Sequence, residues 1–92
     1  MSFEKITDQM ISEVYNLLAQ IDNPDDIKIF LDDLCTNKEV EQMAQRIAAA
    51  KLLTQGNTYN QVIEKTDISS ATLSRVSRCV KYGKGYKKFI KW

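Results

Sequence analysis

The sequence predicts an all-α protein of five to six helices, two of which form a helix-turn-helix. Apolar residues recur at three- and four-residue steps through most of the chain, the period of one helix face. Only three glycines and one proline are present, too few for a hairpin-rich sheet. Residues able to cap helices stand where each apolar run begins. At 92 residues the chain has room for one domain with a modest core, and for neither two independent cores nor most self-contained enzyme sites.

Phe3, Ile6, Met10, Val14, Leu17, Leu18 and Ile21 form one stripe of a helix running to about residue 21. Asp22 and Asn23 then offer caps, and Pro24 suits a first helical turn, where its missing N–H costs nothing. A second helix is expected from about 24 to 34, burying Ile27, Phe30, Leu31 and Leu34. Thr36-Asn37-Lys38-Glu39 has the form of a capping box and opens a third helix. Val40, Met43, Ala44, Ile47, Ala48, Leu52 and Leu53 keep its period, the alanines at 48 to 50 permit close helix approach, and Gly56 is placed to end it in a left-handed conformation.

Thr58-Tyr59-Asn60-Gln61 repeats the capping-box pattern and opens a short helix whose buried side is Val62, Ile63 and Thr66. Asp67-Ile68-Ser69 follows as a connection in which Asp and Ser can bond their local backbone while Ile68 plugs the core. A fifth helix is expected from Ser70 to about Tyr82, with Leu73, Val76 and Val80 inward and Gly83 as its stop. The remaining stretch, Lys84 to Trp92, is either a frayed, partner-dependent segment or packs on the rest through Tyr86, Phe89 and Trp92; packing is the expectation. Residues 1–57 are thus read as core and dimerisation helices, 58–82 as the helix-turn-helix, and 83–92 as a basic, aromatic tail.

A net charge of +1 hides a strong asymmetry. Residues 1–57 carry five basic and ten acidic side chains, a net of −5, whereas residues 58–92 carry eight basic and two acidic ones, a net of +6. A basic half on an acidic body attracts a polyanion in one orientation. Across a short turn, two helices share a small interior and need apolar residues at set positions; Val62, Ile63, Ile68, Leu73 and Val76 occupy them. Asp67 stands where glycine usually makes the turn, and Asp tolerates the left-handed conformation better than most residues.

The outward face of the second helix then presents Ser70, Ala71, Thr72 and Ser74, with Arg75, Arg78 and Lys81 further along and Asn60 on the preceding helix. Small hydroxyl and methyl groups let a helix end sit deep in the major groove, where Ser and Thr bond base edges and Ala touches a thymine methyl. Flanking cations take phosphates and set register without reading sequence. Double-stranded DNA is therefore the expected partner.

Histidine is absent, no glycine-rich phosphate loop occurs, and the carboxylates are scattered, so the sequence argues against an enzyme. Cys35 and Cys79 cannot make a four-ligand zinc site in one chain and are read as packing residues; no metal is expected. With no signal-like start and no membrane-length apolar run, a cytoplasmic protein without a membrane partner is expected. A protein-interaction adaptor retaining the fold is the competing reading.

Leu34-Cys35-Thr36-Asn37-Lys38-Glu39, Arg46-Ile47, Leu52-Leu53-Thr54-Gln55-Gly56 and above all Ala71-Thr72-Leu73-Ser74-Arg75, with Ser77-Arg78-Cys79 and Tyr82-Gly83 after it, resemble the Trp repressor family, and within it the YerC/YecD-related group. The resemblance spans roughly residues 30–82. It implies an intertwined helical homodimer with two reading heads on a palindromic operator, acting as a transcriptional repressor. Independently, three amphipathic helices ahead of the motif carry more apolar surface than a monomer of this size readily buries. In tryptophan-responsive relatives a threonine, two arginines and a serine hold the corepressor. Thr36, Arg46 and Arg75 match three of these positions, and Cys79 falls where the serine meets the ligand's amino group. A thiol accepts hydrogen bonds poorly, so the expectation is a small-molecule effector other than tryptophan, or none.

Overall fold

A computed structural model describes residues 5–90, and all of the regular structure in them is helical. The helices are α1 (Asp8–Ala19), α2 (Pro24–Leu34), α3 (Asn37–Thr54), α4 (Tyr59–Thr66), α5 (Ser70–Tyr82) and α6 (Gly85–Phe89). Phe3, Lys91 and Trp92 lie outside the described residues. The chain divides into two compact units, one through Thr36 and the other from Asn37.

In the first unit the caps set the helix boundaries. The Thr7 hydroxyl accepts from the Met10 amide at 3.1 Å and starts α1 at Asp8. Asn23 Oδ1 accepts from the Asp26 amide at 2.9 Å, Pro24 takes the first turn of α2, and Asp25 and Asp26 complement the positive end of its dipole. Lys28 and Asp32 pair across one turn of α2 at 2.8 Å, a solvated contact that adds a few tenths of a kcal/mol at most. Neither helix buries a residue fully. Ile27 and Leu34, expected inside, are 37% and 52% exposed, while Phe30 and Leu31 are half-buried. Two short helices offer each other too little surface to cover both stripes.

The second unit is built around α3, against which α4 and α5 pack. Ala49 and Ala50 are fully buried, and their small side chains bring the neighbouring helices close. With Val62, Ile68, Leu73 and Val76 they form the core, edged by Leu52, Leu53, Ile63, Val80, Tyr86 and Ile90. The apolar residues of α3 do not form the single stripe expected. Val40 and Ile47, 37% and 46% exposed, lie on the face opposite Ala49 and Leu53 at 100° per residue.

Turn chemistry sets the remaining boundaries. At the end of α3, Gly56 has φ 94°, the Gly56 amide donates to the Leu53 carbonyl, and the Asn57 amide donates to that of Leu52, both at 3.0 Å. This is a Schellman closure, and it requires the left-handed residue that glycine supplies. Helix α4 opens with the expected reciprocal cap: Thr58 Oγ1 accepts from the Gln61 amide, and Gln61 Oε1 accepts from the Thr58 amide at 2.8 Å. Gly83 ends α5 for a different reason. Its backbone is extended, and a Cβ there would lie 2.6 Å from the Cys79 carbonyl oxygen. The following stretch forms α6, with Tyr86 and Ile90 against the core and Lys87 Nζ donating to the Lys81 carbonyl at 2.8 Å. Phe89, by contrast, is 75% exposed.

Candidate nucleic-acid interface

The start of α5 is held from two sides. Ser69 caps it, accepting from the Thr72 amide at 3.2 Å and donating to the Thr72 hydroxyl at 2.9 Å. Thr72 thereby keeps its own O–H free to donate outward. Asp67, the first residue of the connection, is left-handed at φ 60° and ψ 21°. From α3, Gln45 Nε2 donates to the Thr66 carbonyl at 3.1 Å and approaches that of Asp67 at 3.5 Å. The turn between the two short helices is therefore tied to the central helix by a side chain more than twenty positions away in sequence.

Leu73, Val76 and Ser77 are buried on the inner side of α5, and Ile68 plugs the junction beneath it. The opposite face carries Ser70, Ala71, Ser74, Arg75, Arg78 and Lys81, all exposed, with Thr72 half-buried at its edge. Asn60 is exposed in the first turn of α4. None of Arg75, Arg78 and Lys81 forms an ion pair among the described residues. Their charge faces solvent and any polyanion that approaches it. Geometrically, the arrangement is a helix with a small, hydroxyl-rich leading end and a cationic flank.

Sequence reasoning did not single out Lys38, Gln42 and Gln45 of α3, which share a cleft of about 350 Å³ with Ser69 and Thr72. Only tertiary packing brings them there. Behind α5 lies a larger cavity, about 470 Å³, bounded by α3, α5 and α6. Arg46, Arg75 and Cys79 line it, and Thr36 belongs to the other unit. Lys84, Tyr86 and Phe89 complete the wall. Of these, Tyr86 and Phe89 are residues for which the sequence predicts packing, and Lys84 stands between Gly83 and Gly85. Both cysteines are free and half-buried. Among the described residues no acidic, histidine and cysteine side chains cluster as a metal site, and no helix is long and apolar enough to cross a membrane.

A family model described as Trp repressor protein matches residues 9–91 of the chain. The uncharacterised protein YerC of Bacillus subtilis (strain 168) is 36% identical over 83 residues, spanning 90% of this chain and 80% of the relative. A crystal structure of a candidate Trp repressor from Staphylococcus aureus superposes with a TM-score of 0.82 at 32% identity, covering 98% of this chain and 90% of that one.

Proposed function

Because the chain belongs to the Trp repressor family, within its YerC-related group, we propose that it is a sequence-specific transcriptional repressor that binds a palindromic operator as a homodimer. The family is one of helix-turn-helix DNA-binding regulators and is not enzymatic. The observation that carries the operator reading is the outer face of α5, where Ser70, Ala71, Thr72 and Ser74 lead and Arg75, Arg78 and Lys81 follow. In this reading Thr72 and Ser74 bond base edges, Ala71 meets a thymine methyl, and Asn60, Arg78 and Lys81 hold phosphates.

The apolar residues left open on the first three helices support the homodimer. Met10, Tyr15, Ile29 and Leu34 are more than half exposed, more than a chain of this size leaves to water without a partner. Residues 1–57 then supply the dimer interface, 58–82 the reading head, and 83–92 a basic, aromatic tail. Arg46, Arg75 and Cys79 are assigned to an effector site.

Fluorescence anisotropy against duplex DNA across a salt series tests this reading. Each phosphate neutralised releases counterions, so log K is expected to fall with log salt at about −0.9 per contact. A flat salt dependence, or no binding, would instead favour an apolar protein-interaction adaptor on the same fold.

A further inference from the structure

We propose that the start of α3 is a third DNA-contacting element, in which Lys38 and Gln42 hold the backbone phosphate beside the base step that Thr72 reads. The proposal rests on the DNA-binding reading above and adds two residues to it. Lys38 and Gln42 stand four residues apart, one above the other on α3. With Ser69 and Thr72 they line the cleft of about 350 Å³ at the leading end of α5. They therefore flank the end of the reading head that is offered to the groove, not its rear.

Lys38 differs from an ordinary solvated lysine in its position. It is exposed and forms no ion pair among the described residues. It lies in the first turn of α3, where the positive end of the helix dipole disfavours a cation, so helix stability does not account for it. The cleft it lines is cationic on balance, with Lys38 and Arg46 against Asp67. Asp67 is exposed, where water and salt screen its carboxylate.

Gln42 and Gln45 divide the work of this part of α3. Gln45 is committed to the Thr66 carbonyl at 3.1 Å, whereas the Gln42 side chain is exposed and makes no hydrogen bond among the described residues. Thr72 accepts from the Ser69 hydroxyl and keeps its own O–H for a base edge. A strand read by Thr72 runs on past the cleft, where an ammonium group supplies charge to its phosphate and a side-chain amide supplies a neutral donor.

The test is fluorescence anisotropy of the full chain on a labelled random-sequence duplex pool about three helical turns long, across a salt series. Lys38→Gln is expected to weaken binding about three- to tenfold and to reduce the salt slope by about 0.9, while Lys38→Arg keeps both. Gln42→Ala should weaken binding about threefold and leave the slope unchanged, because a neutral donor releases no counterion. Lys51→Gln is the control for net charge: it lies about 20 Å further along α3, beyond the screening length at physiological salt, and should change neither quantity. The melting temperature of Lys38→Gln should equal or exceed that of the parent, which separates a DNA contact from a structural role. If the parent binds the duplex and Lys38→Gln binds it equally, or if Lys51→Gln matches Lys38→Gln, this proposal alone is overturned. A parent that binds no duplex overturns it together with the repressor reading.

Discussion

Gln45 on α3 donates its side-chain amide to the Thr66 carbonyl, 3.1 Å away at the last residue of α4, beside the left-handed Asp67. This contact joins the central helix to the turn that aims α5. Gln45→Glu keeps the shape but replaces the donor with a carboxylate facing carbonyl oxygens. A loss of about 1–3 kcal/mol is expected, seen as a fall in melting temperature of roughly 4–8 °C per kcal/mol. An unchanged thermal transition would show that the contact is incidental.

At Asp67 the backbone itself is the constraint, since φ 60° suits glycine better than any residue with a Cβ. Asp67→Gly is expected to stabilise the fold by up to about 1 kcal/mol, and Asp67→Val, β-branched in the left-handed region, to cost at least about 1 kcal/mol. Chemical denaturation of the two variants should order them on either side of the parent.

Leu73 is fully buried where α5 meets the core. Leu73→Ala removes its contacts and leaves a cavity, at a cost of about 2–5 kcal/mol. For a domain of this size that is a large share of total stability, so the variant should show an early, broadened urea transition.

Gly83 cannot accept a side chain without movement of the Cys79 carbonyl, 2.6 Å from the added Cβ. Gly83→Ala is expected to push α6 off the second unit, exposing Tyr86 and weakening the Lys87–Lys81 contact. Increased fluorescence quenching of the tyrosines checks this, because Tyr86 is half-buried in the parent.

Arg78→Ala and Thr72→Ala separate the two kinds of DNA contact. Loss of Arg78 should weaken binding to all sequences alike and reduce the salt slope by about one contact, whereas loss of Thr72 should mainly relax preference at one base step, worth about 1–3 kcal/mol. Equal effects of Thr72→Ala on specific and random DNA would remove it from the base-reading set.

Much of this architecture is written locally. Pro24 after Asn23, the Thr58–Gln61 box and the Asp67–Ile68–Ser69 connection each set a helix boundary through bonds within four residues, and the observed α2, α4 and α5 begin where those signals lie. The outward face of α5 was legible for the same reason: periodicity alone separates Leu73 and Val76 from Arg75 and Arg78. Burial in the first unit was not legible. Ile27 and Leu34 have the pattern of core residues, but a stripe states only that a partner surface is needed, not that the same chain supplies it. Gln45 and Lys84 were not legible because their neighbours lie on other elements, beyond the reach of any spacing rule.

Selection from a random duplex library by the purified protein, with sedimentation of the same sample, tests the central claim most directly. The account predicts a particle of about twice the 10.6 kDa chain mass that enriches a two-fold symmetric site. A well-folded protein that enriches no sequence would contradict it.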